Sequence, residues 1–250
     1  MIPKIIYQTH ELDRDKLPDF IQKNSESWIV MNPGYEYVYM NAEERRSFVE
    51  DRCPELKNFY NHFNDYEPHL MFQADIWRYL IMYEFGGIYA DMDSICISSF
   101  DNILEECKSY ELIVHVPTDQ DINVDWKTSN RKTNLDKNYF AKLINNANFA
   151  AIKKSITLKN LIDEVIKYNN NSLNPENWYG ISPYTFSHQV FATANKNPEK
   201  ISYKIQDITL HDGSSETSLE RYKKQSKMLD DGLIVNYLGV KMPYTEIIKK

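Results

Sequence analysis

The chain has 250 residues and a formal net charge of -7 at neutral pH, with 42% hydrophobic and 26% charged residues. This composition is typical of a globular protein with a sizeable core, and the negative charge argues against nucleic acid as a partner. No apolar run approaches the roughly 18 residues of a membrane-spanning helix, and we expect no signal peptide. Three cysteines without metal-ligand spacing suggest reduced thiols and a cytoplasmic location.

The first 63 residues alternate between the sequence patterns of strands and helices. Short apolar runs predict strands, and apolar residues spaced three and four apart predict helices. Asn41 is a candidate N-cap, because its side chain can accept a hydrogen bond from the first turn of the following helix. The predicted elements are a strand at 2–8, a helix at 17–28, a strand at 35–40, a helix beginning after Asn41 and a helix at 54–63.

The segment 73–93 reads QADIWRYLIMYEFGGIYADMD, and its first part has the period of a helix. Asp75 and Arg78 lie three residues apart, so they project side by side from the flank of an apolar stripe. Gly86 and Gly87 are expected to end this helix, since glycine readily adopts the left-handed conformation of a helix end. The stripe, which we expect to face the core, consists of Leu70, Ala74, Trp77, Ile81 and Phe85.

An extended segment follows the two glycines and ends in a pair of aspartates. A period of two over residues 88–93 predicts that Asp91 and Asp93 point to the same side. Carboxylate oxygens with no His or Cys cluster nearby suit Mg²⁺ or Mn²⁺, which predicts a metal site beside the Asp/Arg pair. Two other D-x-D pairs, neither preceded by a buried strand, are Asp13-Asp15 and Asp119-Asp121.

The second half of the chain continues the alternation of strands and helices. This order predicts an α/β sheet layered by helices, and no linker or repeat divides the chain into further domains. The polar stretch 117–138 has no periodicity, and a loop of that length is usually functional or disordered. The predicted elements are strands at 110–116, 149–152, 201–210 and 233–238, and helices at 158–168 and 183–194.

The block from Ala74 to Asp93 resembles the signature of the DXD-containing sugar transferases of glycosyltransferase family 32. That group includes initiating mannosyltransferases and capsular-polysaccharide enzymes, and it is related to the glucosyltransferase domains of clostridial toxins. The segments IPKIIYQ and NPGYEYVYM, together with residues 148–151 and 180–183, are also similar to family segments.

The resemblance implies a GT-A fold in one domain, with a mixed, mostly parallel central sheet flanked by helices. It also implies a UDP- or GDP-hexose donor, a Mn²⁺ or Mg²⁺ ion, and retention of the anomeric configuration. Residues 1–100 would bind the nucleotide sugar and the metal. Residues 101–250 would bind the acceptor, with the stretch 117–138 and the tail after Gly239 as candidate lids.

The resemblance assigns roles to four residues of the central block. Asp75, Arg78 and Asp91 would be catalytic. Asp75 and Arg78 would hold hydroxyls of the donor sugar, and Asp91 would contact the ribose or the sugar of the donor. Asp93 would bind the metal, and Asp91 would assist it. These roles are carried over from the family residue by residue.

Further roles implied by the resemblance lie at the two ends of the chain. The nucleotide would lie near three residues at the end of the first strand, Tyr7, Gln8 and Thr9. His10 stands where the family usually has a tryptophan, so stacking on the base is not implied. The family's C-terminal pattern is only partly present, which leaves Asn236 and His211 as alternative candidates for a further metal ligand.

The sequence therefore predicts a metal-dependent retaining glycosyltransferase that acts on a glycan, a lipid-linked saccharide or a protein acceptor. The expected partners are the nucleotide sugar and the saccharide acceptor, and the basic end Lys249-Lys250 leaves a peripheral membrane contact open. Two alternatives stay open, namely a non-catalytic glycan-binding protein of the same fold and a nucleotidyltransferase with similar carboxylates.

Overall fold

A computed structural model of the protein describes residues 1–62, 70–115, 144–171, 183–202 and 209–211. The strands are β1 Ile5–Thr9, β2 Glu36–Met40, β3 Gly87–Ala90, β4 Ser94–Cys96, β5 Leu112–His115, β6 Asn145–Ala151, β7 Ile201–Ser202 and β8 Thr209–His211. The helices are α1 Asp19–Met31, α2 Ala42–Arg52, α3 Lys57–His62, α4 Leu70–Phe85, α5 Asp101–Glu106, α6 Ile156–Asn171 and α7 Pro183–Lys196. No helix in these ranges is long and apolar enough to cross a membrane.

Most predicted elements are confirmed, with their ends shifted by a few residues. The helix predicted at 54–63 divides into a 3₁₀ turn and α3, and the strand predicted at 149–152 is the end of the longer β6. The strand predicted at 201–210 is wrong as one element, because β7 and β8 pair with different partners. The predicted strand at 233–238 and the stretch 117–138 lie outside the described residues.

The central sheet has six strands in the order β2-β1-β3-β6-β5-β7. β1 is parallel to both β2 and β3, and β5 is parallel to β7, whereas β6 is antiparallel to its two neighbours. The sheet is therefore mixed and mostly parallel, as predicted. β4 and β8 form a separate antiparallel pair in which Ser94 is the register partner of His211.

The central strand β3 is buried on both faces. Tyr89 packs into the larger hydrophobic cluster, which includes residues of α2, α3, α4, α6 and α7. Ile88 and Ala90 point the other way, into a cluster with Trp28 of α1 and residues of α5. Helices thus cover both sides of the sheet, which is the layered α/β arrangement that the sequence predicts.

Helix α4 is buried on almost every side. Between residues 72 and 82, every side chain is buried except that of Ala74, which is partly exposed. The predicted stripe is therefore only partly correct, since Trp77 and Ile81 are buried but Phe85 is partly exposed. The reason is that α4 packs against α2 and α6 as well as the sheet, so it does not have the single apolar face of a surface helix.

The two glycines after α4 make the sharp transition from helix to strand, as predicted. Gly86 has a φ of +69° and donates its N–H to the carbonyl of Met82 at 2.9 Å, which closes the last helical turn. A Cβ on Gly86 would lie 2.5 Å from the backbone nitrogen of Lys153. Both the conformation and the close backbone approach therefore require glycine here.

Candidate active site

Three charged side chains meet where α4 passes the carboxyl end of β3. Arg78 Nη2 lies 3.2 Å from Asp75 Oδ1 and 3.2 Å from Asp91 Oδ1, and Nη1 lies 3.5 Å from Asp91 Oδ2. Asp75 and Arg78 are one turn apart on α4, which places both on one side of the helix. The side chains of Asp75 and Arg78 are buried, whereas 28% of the Asp91 side chain is exposed. The structure thus brings together the three residues predicted as catalytic.

Asn146 of β6 completes this buried cluster and is absent from the predicted site. Its Nδ2 donates to Asp75 Oδ1 at 2.9 Å and to Tyr79 Oη at 2.7 Å. Its main-chain oxygen accepts a hydrogen bond from Arg78 Nη1 at 2.9 Å. The nearby segment that is similar to the family, residues 148–151, does not include Asn146. Its contact with Asp75 joins positions 71 residues apart and therefore leaves no local pattern in the sequence.

Tyr89 of β3 fixes both Arg78 and Asp91. The Arg78 guanidinium lies over the Tyr89 ring, with its Cζ 4.5 Å from the ring centroid. The Tyr89 hydroxyl donates to Asp91 Oδ1 at 2.5 Å, and burial raises the pKa of this tyrosine well above its ordinary value, so it keeps its proton. Arg78 is therefore held at its edge by carboxylates and at its face by a ring, which suits a planar guanidinium.

The charges of the cluster depend on its burial. Burial raises the pKa of Asp75 to about 7, while the nearby Arg78 charge acts in the opposite direction. Burial by itself would lower the pKa of Arg78, but the carboxylate of Asp91 leads the groups that raise it, and the net direction is upward. Arg78 is therefore charged at neutral pH, and its carboxylate partners compensate for the loss of water around it.

The two aspartates predicted to bind metal lie in a turn and not on a strand. β3 ends at Ala90, and residues Asp91–Ser94, which we call the DXD turn, follow it. The carbonyl of Asp91 accepts hydrogen bonds from the Ser94 N–H at 3.0 Å and the Ser94 Oγ at 2.6 Å. The prediction of an extended backbone over 88–93 is thus wrong beyond Ala90, because this hydrogen-bonded turn replaces it. Asp91 and Asp93 are both partly exposed on the same short turn.

The three residues predicted to lie near the nucleotide are buried at the end of β1. Gln8 Nε2 donates to the main-chain oxygen of Asp91 at 3.3 Å, and Gln8 Oε1 accepts from Tyr37 Oη at 2.8 Å. Thr9 Oγ1 donates to a main-chain oxygen of β2 at 2.6 Å, and Tyr7 belongs to the larger hydrophobic cluster. These side chains connect β1 to β2 and to the DXD turn, and their contact with a nucleotide stays a prediction.

The loop after β1 is fixed by a buried histidine and a buried arginine. His10 Nδ1 accepts a hydrogen bond from the Leu12 N–H at 3.1 Å. Arg45 of α2 donates to Thr9 Oγ1 at 2.7 Å and forms an ion pair with Glu11. Burial, followed by the Arg45 charge, lowers the pKa of His10 to about 4. The imidazole is therefore neutral at physiological pH and serves as an acceptor.

The DXD turn has the donor chemistry of a site for a hard divalent cation. Asp91 and Asp93 are partly exposed, and carboxylate oxygens are the ligands that Mg²⁺ and Mn²⁺ prefer. Within the described residues, no group of three or more His, Cys, Asp or Glu side chains is arranged to hold a metal. Asn236 lies outside the described residues. Only the backbone of His211 is described, and it pairs with Ser94 at the end of the DXD turn.

The architecture is similar to that of a solved glycosyltransferase domain. The ligand-free glycosyltransferase domain of the YGT toxin aligns with a TM-score of 0.54 and 12% identity, over 99% of this chain and 94% of that chain. At this identity the likeness concerns the fold alone. The protein therefore has a GT-A type α/β fold.

Residues 18–110 match the family described as "Glycosyltransferase sugar-binding region containing DXD motif". This range contains Asp75, Arg78, Tyr89 and the whole DXD turn, whereas Asn146 lies outside it. Residues 18–110 are therefore similar to the DXD-containing sugar-binding regions of glycosyltransferases.

Curated relatives also match part of the chain. Inositol phosphoceramide mannosyltransferase 2 of Schizosaccharomyces pombe is 35% identical over 104 residues, which cover 42% of this chain and 28% of that protein. The initiation-specific alpha-1,6-mannosyltransferase of Candida albicans is 28% identical over 136 residues, or 50% of this chain and 34% of that protein. The chain thus spans about a third of the length of these relatives.

Proposed function

We propose that the protein is a metal-dependent glycosyltransferase that transfers a hexose from a nucleoside diphosphate sugar with retention of the anomeric configuration. The observation that supports this most directly is the contact of Arg78 with Asp75 and Asp91 beside the DXD turn. This cluster lies inside the segment that matches the DXD family. An ion pair that only stabilises the fold would not explain why Asp91 and Asp93 are partly exposed beside it.

The residues of the site would divide the work between metal and donor. Asp91 and Asp93 would hold Mn²⁺ or Mg²⁺, and the ion would neutralise charge on the departing nucleoside diphosphate. Arg78 and Tyr89 both bind Asp91 Oδ1, so the orientation of this carboxylate is set before any ligand arrives. Asp75 and Arg78 would hold hydroxyls of the donor sugar, as the resemblance implies.

The halves of the chain would have separate tasks within one domain. Residues 1–100 contain the DXD turn and most of the buried cluster, which supports their assignment to the nucleotide sugar and the metal. Residues 101–250 would bind the acceptor and supply the C-terminal lid. Asn146 lies in this second half, so its contact with Asp75 joins the two.

The names of the relatives suggest which sugar to test first. Both are named as mannosyltransferases, and one is named for inositol phosphoceramide. We therefore propose mannose as the transferred hexose and a glycan or lipid-linked acceptor, with a protein acceptor as a further choice.

The test is release of the nucleoside diphosphate from a panel of UDP- and GDP-sugars, each with Mn²⁺, with Mg²⁺ and with a chelator. Hydrolysis of the donor by water often reveals a glycosyltransferase without its acceptor. We expect release from one donor, dependent on the metal. A nucleotidyltransferase would instead need a nucleoside triphosphate and a sugar 1-phosphate, and release of pyrophosphate from that pair would identify one.

A lack of release from every donor is followed by calorimetric titration of the same donors with Mn²⁺. Binding of one donor without release would support a transferase that needs its acceptor for turnover. Binding of free glycans with no affinity for any nucleotide sugar would contradict the proposal and identify a glycan-binding protein.

A further inference from the structure

Helix α1 donates side-chain hydrogen bonds to the backbone of the DXD turn. Asn24 Nδ2 donates to the main-chain oxygen of Met92 at 3.2 Å. Trp28 Nε1 donates to the main-chain oxygen of Ser94 at 3.0 Å. These two carbonyls belong to the residues directly before and after Asp93, so α1 holds the Met92–Asp93 peptide and the Ser94–Ile95 peptide on either side of this aspartate.

The two donors are themselves rigid. Asn24 and Trp28 are spaced four residues apart, which places them on the same face of α1. The exposed fraction is 1% for Asn24 and 0% for Trp28. The Trp28 ring packs 5.6 Å from the ring of Phe100, between centroids, and lies in the hydrophobic cluster on this side of β3. The position of the turn is therefore set by a packed helix and not by the turn alone.

The requirement for such donors follows from the chemistry of a two-carboxylate site. A metal held by few side chains depends on the orientation of each, and groups that orient a ligand commonly change metal affinity by about 10- to 100-fold when removed. Asp91 has Arg78 and Tyr89 to orient its side chain. Around Asp93, α1 holds the main-chain oxygens of Met92 and Ser94, alongside the hydrogen bond from the Ser94 N–H to the Asp91 carbonyl within the turn.

We propose that Asn24 and Trp28 are positioning residues for the metal, acting through the backbone of the DXD turn at Met92 and Ser94 without touching the ion. The inference rests on the proposed function, since it assumes that the DXD turn binds Mn²⁺ or Mg²⁺. Helix α1 would then affect the affinity for the metal although none of its side chains is a ligand.

The test compares two asparagines of the same region. Asn24→Ala removes the bond to Met92, whereas Asn32→Ala removes bonds to the Trp28 carbonyl, the Cys96 Sγ and the Phe100 N–H, none of which belongs to the DXD turn. Both variants lose buried polar contacts, so both are expected to lower the melting temperature. Only Asn24→Ala should weaken Mn²⁺ binding, by about tenfold, in titrations with Mn²⁺ and UDP or GDP without any turnover.

A second variant tests the same inference without a cavity at position 24. Trp28→Phe keeps an aromatic ring in the cluster but removes the donor to Ser94, and it should also weaken Mn²⁺ binding relative to Asn32→Ala. Equal Mn²⁺ affinity in the wild type, Asn24→Ala and Trp28→Phe would overturn the inference and leave the proposed function intact. A wild-type protein that binds no Mn²⁺ with either nucleotide would overturn both.

Discussion

Arg78 is the residue on which the buried cluster depends. It contacts two carboxylates, a main-chain oxygen and an aromatic face, and its own side chain is only 7% exposed. A charge at such burial is tolerated because Nη1 and Nη2 have oxygen acceptors and the guanidinium face has a ring, although the buried Nε has no hydrogen-bond partner in the described part of the chain. The carboxylates depend on Arg78 in the same way.

Replacing Arg78 by methionine is expected to lower the free energy of unfolding by about 3–5 kcal/mol, since breaking a buried pair leaves an uncompensated charge. Denaturant unfolding at pH 8 measures the loss. Adding Asp75→Asn to this variant should restore part of the stability, because it removes the buried carboxylate. A double variant no more stable than Arg78→Met alone would show that Asp75 is not the uncompensated charge.

Some residues of the site are visible in the sequence and others are not. Asp75 and Arg78 are predictable because a spacing of three along a helix places them side by side. Asn146 and Asn24 reach the site from β6 and α1, across sequence separations of 71 and 68 residues. Nothing in their local sequence marks such contacts, because they follow from the order of strands in the sheet.

At the scale of elements, the step from α4 to β3 sets the position of the whole site. Gly86 allows the chain to turn directly from the helix that contains Arg78 into the strand that precedes Asp91. The sequence predicts this transition because paired glycines after a helical pattern leave few other interpretations. The sequence does not predict that β3 ends at Ala90, because the alternation of polar and apolar residues that follows at 91–93 is compatible with a turn as well as with a strand.

Gly86→Ala is expected to destabilise the protein by more than Gly34→Ala. Both glycines have positive φ angles, +69° and +96°, so both alanines incur the conformational cost of about 1–3 kcal/mol. Only at Gly86 would the new Cβ also meet backbone, at 2.5 Å from Lys153 N, whereas nothing lies within 4 Å of a Cβ at Gly34. Chemical denaturation compares the two variants, and equal losses would contradict the close approach.

The stability of the whole molecule is expected to depend on pH through the buried His10. The pKa of His10 is lowered in the folded protein to about 4 from an ordinary value of 6.5. The unfolded chain therefore takes up a proton at His10 at a higher pH than the folded protein does. A neutral His10 contributes fully to the free energy of unfolding above pH 6.5. This contribution, up to roughly 3 kcal/mol, is lost as the pH falls towards 4.

His10→Asn should make the stability less dependent on pH in this window. The Asn oxygen can take the place of Nδ1 as acceptor from the Leu12 N–H but cannot be protonated. We expect the free energy of unfolding to fall less steeply for the variant than for the wild type between pH 6.5 and 4.5, whatever their difference at pH 7.5. Parallel curves for the two proteins would contradict a neutral, buried His10.

The overall architecture is predictable from the sequence to a greater extent than the packing of its centre. Apolar strands separated by helical patterns predict a layered α/β sheet, and the capping box at Asn41 and Glu44 confirms a helix start read from the sequence. The burial of α4 on nearly every side is not predictable from its own period, because it depends on α2 and α6, which pack on its outer face.

The measurement that tests the central claim most directly is Mn²⁺-dependent release of nucleoside diphosphate by the wild type, Asp93→Asn and Asp15→Asn. Asp15 is an exposed member of the other described D-x-D pair, in the 3₁₀ turn before α1, and serves as the matched control. We expect release by the wild type and Asp15→Asn and almost none by Asp93→Asn, with all three proteins folded. Turnover by Asp93→Asn close to that of the wild type would contradict the assignment of the DXD turn as the metal site.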